Sequence, residues 1–392
     1  MSKPISFFVH HQGRGHARRT MAIVRELPPS RPVSVLTADP SLFDGFERDI
    51  EIITLPNMIG APAPTPALHD QPTPSIMHCV PLGLAPMRQT MRCILDHLDD
   101  RDSGLFVIDV SAELALLARI ASVPAIKIRM HGNRCDPGHL AAYDACTGML
   151  APYDARLEQA DYPHWARAKT FYTGGLCTST HDKHDRHTAR AALGLAQDRE
   201  IVVVMTGGGG AGTPYAPLTM AARAAPDTLF VTVGPLHREG HETDFANLVN
   251  HGWVERTGDY LAAADIVLAS AGDNTVHEIA RAGRPYICAP EWRYFDEQQR
   301  KAQSLAALGA AIHLQIWPGD LAGWQRLLDQ ARALDVSAQR PLHDPQAARH
   351  AADWLEATTN RLWAGAEPAR HGRRAVSVVC ADASGDAAIR RR

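Results

Sequence analysis

In the segment SAGDNTVHEIARAGRP, residues 270–285, an apolar run ends at Ser270, Gly272 permits a tight turn, and a helix begins near Asn274. The backbone N–H groups and the dipole at such a helix start make a site for an anion such as a diphosphate. Glu278 follows Asn274 by one helical turn, on the same face. A carboxylate there is placed to accept both hydroxyls of a ribose whose diphosphate occupies the helix start. The alternative is an N-capped amphipathic helix with Glu278 on a solvated face.

Two other glycine-rich turns follow apolar runs. TGGGGAG, residues 206–212, allows close backbone approach and positive φ at Gly208 and Gly209, as a phosphate-lining loop or simply as a flexible turn. QGRGHARR, residues 12–19, places His16 at the tip of a turn and the start of a helix, where it is either a proton acceptor or a cap. A dinucleotide fingerprint would need a third glycine, but Arg18 follows Gly13 and Gly15 in that register. Asp39, near the end of the second strand, leaves a nicotinamide site open on that ground alone. Arg14, Arg18 and Arg19 would meet an anionic acceptor or form a solvated helix start.

His181, His184 and His187, with Asp182 and Asp185, are spaced so that they drift around a helix surface, and are read as a solvated linker rather than a metal site. No paired aspartates accompany residues 270–302. The expectation is therefore a metal-free site in which dipole and amides carry the diphosphate charge.

The elements that must position these residues alternate in type. Strands are expected at 5–11, 33–38, 51–56, 105–110 and 125–130, with helices at 17–27, 84–98, 113–122 and 138–159. The Pro-rich stretch 57–81 reads as a long loop. A polar stretch at 179–190 precedes a second alternation, with strands at 201–206, 228–234, 251–255, 265–270 and 285–290. Helices are expected at 217–225, 274–282, 298–308, 321–334 and 346–362. Strands alternating with helices imply parallel sheets with right-handed crossovers. The class is α/β, with two Rossmann-like halves.

At 392 residues the chain suits two domains. Its formal net charge of −3 offers no field for nucleic acid. Seven cysteines without a CxxC pair argue against a disulfide framework or zinc ribbon and fit a reducing cytosol. No secretory leader and no apolar run near the roughly 20 residues of a bilayer span is evident, so membrane contact is expected to be peripheral at most.

The run 270–302, closing with PEWRYFDEQQRKA, resembles the donor-binding signature of GT-B glycosyltransferases, specifically the MurG-like N-acetylglucosaminyltransferases and the plant UDP-glycosyltransferases. The resemblance implies two Rossmann-like domains facing across a cleft, with acceptor and base on the first and donor on the second. It implies domains at 1–170 and 171–345 and a helix at 346–363 crossing back; the tail at 364–392, basic at both ends and small-residue between, reads from its own composition as poorly ordered. Ser270, Gly272, Asn274, Thr275 and Glu278 would hold phosphate and ribose, Glu297 and Gln298 the sugar hydroxyls, and Val254 the base edge. Gly208 and Gly209 would line the phosphates. His16 would be the general base, and Asp109, at the end of LFVID, would orient it as in the plant-type enzymes; otherwise Asp109 caps the next helix. Gly13, Gly15 and Asn133 would meet the acceptor.

One departure is that YTGGLCTS, residues 172–179, lacks the arginine that meets the diphosphate in MurG-like proteins. The resemblance thus implies an inverting transferase with no cofactor, using a nucleotide sugar, UDP-linked by preference, and a hydroxyl acceptor that includes lipid-linked sugars. It would work in the cytoplasm or at the inner membrane face. The rivals are a nucleotide-sugar 2-epimerase of the same fold, a non-catalytic nucleotide-sugar-binding protein and a nicotinamide oxidoreductase.

Overall fold

The computed structural model describes residues 2–58, 63–178, 184–207, 210 and 212–365. Gly208, Gly209, His181, Asp182 and the tail lie outside the described residues.

The first half forms a seven-stranded parallel sheet: β1 (Ile5–Phe8), β2 (Val33–Thr37), β3 (Glu51–Thr54), β4 (Leu105–Ile108), β5 (Ala125–Ile128), β6 (Gly148–Ala151) and β7 (Thr170–Tyr172). Its order is β3-β2-β1-β4-β5-β6-β7. The second half contributes β8 (Ile201–Met205), β9 (Thr213–Pro214), β10 (Leu229–Val233), β11 (Leu236–His237), β12 (Leu248–Gly252), β13 (Ile266–Ala269), β14 (Tyr286–Cys288) and β15 (Ile312–His313). Six of these form a second sheet in the order β12-β10-β8-β13-β14-β15, while β9 and β11 pair separately. The central strands are buried along their whole length because helices cover both faces, which is why they read as unbroken apolar runs.

Strand order reverses between β1 and β4 in the first sheet and between β8 and β13 in the second. Open α/β sheets leave a crevice at the carboxyl ends of the strands where the order reverses. The turn carrying His16 follows β1, and Asp109 follows β4. The glycine run follows β8, and the 270–285 segment follows β13.

Three expectations are corrected. The helix expected at 138–159 is a helix Pro137–Ala145, then β6, then a short 3-10 turn Ala155–Leu157. Gly148-Met-Leu-Ala has no β-branched residue to mark a strand; pairing with β5 overrides its local preference. β7 is likewise a strand not read from sequence. The strand expected at 251–255 is shifted to β12, which ends where Gly252 turns at φ 65°. Among the described residues of 57–81 there is one short helix, Pro66–His69, capped by Thr65. The helix Ala347–Leu362 packs Ala347, Ala351 and Leu355 into the core of the first sheet beside Ile23 and Val24.

Candidate active site

Gly13, at φ 81°, turns the chain from β1 into the helix Arg14–Glu26, which starts without a side-chain cap. His16 lies in its first turn. Asp109 is placed by β4, and its own N–H donates to the Phe8 carbonyl at 3.1 Å. Asp109 does not cap the following helix: Ser111 does, accepting from the Leu114 N–H at 3.2 Å. Between them Val110 adopts φ 75°, a left-handed conformation that strains a β-branched residue and is found mainly where geometry is dictated by a site.

The consequence is a dyad of a half-buried imidazole and a buried carboxylate. His16 Nδ1 lies 2.9 Å from Asp109 Oδ2. Arg19 Nη2 donates to both oxygens of the same carboxylate, at 2.9 and 2.8 Å. Burial by itself would raise the Asp109 pKa, but Arg19 and then His16 outweigh it and hold the carboxyl well below its ordinary range. Donation from Nδ1 to Asp109 leaves the Nε2 lone pair of His16 as the acceptor. Arg14 and Arg18 are exposed as expected, whereas Arg19 is buried and engaged, so it does not face an acceptor.

On the opposite sheet the helix Asp273–Ala282 begins at Gly272, again with no side-chain cap, leaving its first N–H groups for a ligand. Glu278 is buried rather than solvated, and it accepts from Thr257 Oγ1 at 3.0 Å. Its pKa is raised, chiefly by burial, against a smaller opposing effect of Thr257. A Cβ placed on Gly15 would lie 3.6 Å from Asn274 Nδ2, so the two helix starts approach each other across the cleft. Thr275 flanks Gly272, Ser270 is buried, and Val254 lies half-buried between β12 and the helix Thr257–Ala263.

The loop after β14 makes the second contact between halves. Phe295 and Asp296 both have positive φ, 63° and 53°. This contortion brings Phe295 O to the Asn133 N–H at 2.6 Å and Asp296 to the Asn133 side chain at 2.7 Å. Arg134 pairs with Glu297 at 3.0 Å. Gln298 is buried, its Oε1 accepting from the N–H groups of Ala271, at 3.1 Å, and Glu291, at 2.8 Å. Asn133, Glu297 and Gln298 therefore already have protein partners. Gln298 ties the loop to the turn below the Asp273 helix.

Sequence reasoning missed three residues. Glu291 accepts from Thr206 Oγ1 at 2.7 Å and from Arg293 at 2.8 Å, and its carboxylate abuts Gly210, where a Cβ would lie 2.3 Å away. It thus contacts Thr206 and Gly210, on either side of the segment 208–209. Asp273 bonds Lys301, and accepts from Arg19 Nη1 at 3.2 Å. Lys301 and Arg19 outweigh the burial that would raise the Asp273 pKa, and hold it low. No pattern marks these charges as buried; an Asp at a helix start and a Lys on a helix ordinarily face water.

Among the described residues, His78, Asp136 and His139 are the one group close enough to share a metal ion. Asp136 there caps the helix Pro137–Ala145 and bonds His139, while Phe295 packs against both imidazoles. Arg134 and the helix dipole put positive charge beside the same pocket.

Two parallel Rossmann-like sheets, with uncapped helix starts meeting at their switch points, define the GT-B fold. Over 91% of this chain and 99% of its own length, Acinetobacter baumannii MurG superposes with a TM-score of 0.60 at 16% identity. Arabidopsis thaliana UGT89C1, solved with quercetin, gives 0.64 over 92% of this chain and 100% of its own, at 14% identity.

In sequence, residues 222–317 match the glycosyltransferase family 28 C-terminal domain. The chain is 27% identical over 167 residues to the UDP-N-acetylglucosamine–N-acetylmuramyl-(pentapeptide) pyrophosphoryl-undecaprenol N-acetylglucosamine transferase of Bacillus subtilis, covering 39% of this chain and 45% of that protein. It is 39% identical over 116 residues to the Sorangium cellulosum protein of the same name, covering 26% and 28%. The matched span is thus less than half the length of these relatives.

Proposed function

We propose that the protein is a metal-independent, inverting glycosyltransferase that moves a sugar from a nucleotide diphosphate sugar, UDP-linked, to an acceptor hydroxyl. The observation that carries this reading is the His16–Asp109 pair on one side of the cleft, facing the uncapped start of the Asp273 helix on the other. The family 28 match over the second half supports the donor assignment, and the relatives' named UDP-sugar supports the nucleotide.

In this reaction His16 Nε2 takes the acceptor's hydroxyl proton as that oxygen forms a bond to the anomeric carbon. The bond from that carbon to the diphosphate oxygen breaks, and the nucleoside diphosphate leaves with the electron pair toward the N–H groups after Gly272. Asp109 holds the imidazole tautomer and balances the imidazolium that forms. Glu278 receives the ribose hydroxyls.

The test is incubation with a panel of UDP-sugars and acceptors. The first acceptor is an undecaprenyl-pyrophosphoryl lipid, the acceptor class in the relatives' names. Among the described residues no helix is long and apolar enough to cross a membrane, so with a lipid-linked acceptor the contact would be peripheral. Acceptor-dependent UDP release with an inverted anomeric centre in the product is expected. Epimerisation of the donor sugar without acceptor would establish the 2-epimerase instead.

A further inference from the structure

The carboxylate in this dyad is shared. A histidine paired with an isolated buried carboxylate is stabilised in its protonated form, which makes it a poor proton acceptor until the pH is high. Here the same carboxylate also receives two hydrogen bonds from Arg19 Nη2, and that nitrogen stands 3.1 Å from His16 Nδ1. Arg19 is 4% exposed, and its other terminal nitrogen crosses the cleft to Asp273 at 3.2 Å. Asp273 in turn is held by Lys301. The groups form one line, from His16 through Asp109, Arg19 and Asp273 to Lys301, and the charges alternate from Asp109 onward.

We propose that Arg19 is a positioning residue that keeps His16 neutral, and so able to accept a proton, by sharing Asp109 with it while anchored on Asp273 of the opposite domain. The inference deepens the proposed base role of His16 but is measurable without any substrate.

The other groups around the imidazole do not replace Arg19. His10, at the end of β1, packs edge-on against His16 with centroids 5.6 Å apart, and burial lowers its pKa to about 4, so it is neutral near pH 7. His11 stacks on His10 from the same strand end. From β5, Lys127 donates to the Val110 carbonyl and adds positive charge behind Asp109. Arg14 and Arg18, on the helix of His16, are exposed and screened by water. Arg19 touches both members of the dyad and also crosses to the second domain.

The link to Asp273 gives the arrangement a direction. Removing Arg19 leaves Asp109 to His16 alone and stabilises the imidazolium. Removing the Asp273 charge takes a negative group from the line and leaves Arg19 wholly to the dyad, which disfavours the imidazolium. A residue that merely supports the fold would not move the titration in opposite directions.

The experiment is an NMR titration of the His16 ring in the full chain, with the resonance assigned by its loss in His16→Ala. Arg19→Gln should move the midpoint upward by about one pH unit, a tenfold change in the neutral fraction near the midpoint. Asp273→Asn should move it downward, and Arg19→Lys should restore most of the parent value. Thermal unfolding of each variant identifies those that fold. If Arg19→Gln does not fold, Asp273→Asn decides alone: a midpoint that stays or moves upward overturns the proposal. An unchanged midpoint, or shifts of the same sign in Arg19→Gln and Asp273→Asn, overturns the proposal. Opposite shifts together with full transferase activity in His16→Ala would instead uphold this wiring and remove the base assignment.

Discussion

His16 Nδ1 and Asp109 Oδ2 lie 2.9 Å apart although 93 residues separate them in the chain. The first sheet achieves this by setting β1 beside β4 in register, Phe8 opposite Ile108, so that the residues following each strand emerge together. Immediately after Asp109 the chain turns at Val110, with a strained φ of 75°.

From that geometry, His16→Ala should lower turnover by about 10²–10⁴-fold while leaving nucleotide-sugar affinity nearly unchanged. The imidazole belongs to the first domain and the ligand-facing helix start to the second, so the two effects separate. Asp109→Asn should cost less, since the imidazole remains. Parallel kinetics and calorimetry check both; a folded His16→Ala protein turning over at the parent rate sends the search to His69 and His78.

The alternation of strands and helices was readable because buried parallel strands are apolar throughout and their helices amphipathic. The pairing of His16 with Asp109 was expected from the resemblance to the plant-type enzymes, not from the periodicity. β6 was not readable: Gly148, Met149, Leu150 and Ala151 carry no strand signal of their own, and pairing with β5 on one side and β7 on the other decides. The buried ion pairs were hidden for a related reason. Arg19, Asp273 and Lys301 are polar residues in polar company along the chain, yet Arg19 and Lys301 are buried and Asp273 is half-buried between them.

Glu291 illustrates what such hidden contacts do. It accepts a hydrogen bond from Thr206 and abuts Gly210, at the two described ends of the glycine run after β8. Glu291→Ala should loosen that loop and weaken nucleotide binding several-fold, from the loss of hydrogen bonds each worth about 1 kcal/mol net. Calorimetry with UDP reads the affinity. Equal affinity in the variant would show that the clamp does not shape the donor site.

Activity should survive a chelator. The Asp273 helix start offers uncapped N–H groups to an anion, and preorganised amides of this kind carry developing phosphate charge without a cation. Turnover measured before and after EDTA decides. Activity lost in EDTA and regained with magnesium or manganese would point to a ligand set elsewhere, and the His78, Asp136 and His139 group would be the first to mutate.

Glu278 carries the last prediction. Its carboxylate is buried with Thr257 as donor, and burial raises its pKa above the ordinary glutamate value. Ribose hydroxyls donate, so the ionised form is the one that binds them. The sign follows. As pH falls, Glu278 takes its proton sooner than an exposed glutamate, and nucleotide affinity should begin to fall at a pH above about 4.3. Binding should release protons in that window, because the ligand favours the ionised form. Stability of the unliganded protein runs the other way: an acid whose folded pKa is raised favours folding most when protonated, and that contribution is lost as pH rises through the folded pKa. Glu278→Gln should therefore flatten the pH dependence of UDP affinity. Glu278→Ala should lower that affinity at least tenfold near neutrality, since hydrogen bonds to a charged group are worth roughly 1.5–3 kcal/mol. Calorimetry in two buffers of different ionisation enthalpy measures affinity and proton release together. A parent-like affinity in Glu278→Ala, or proton release that persists in it, would remove Glu278 from the ribose site.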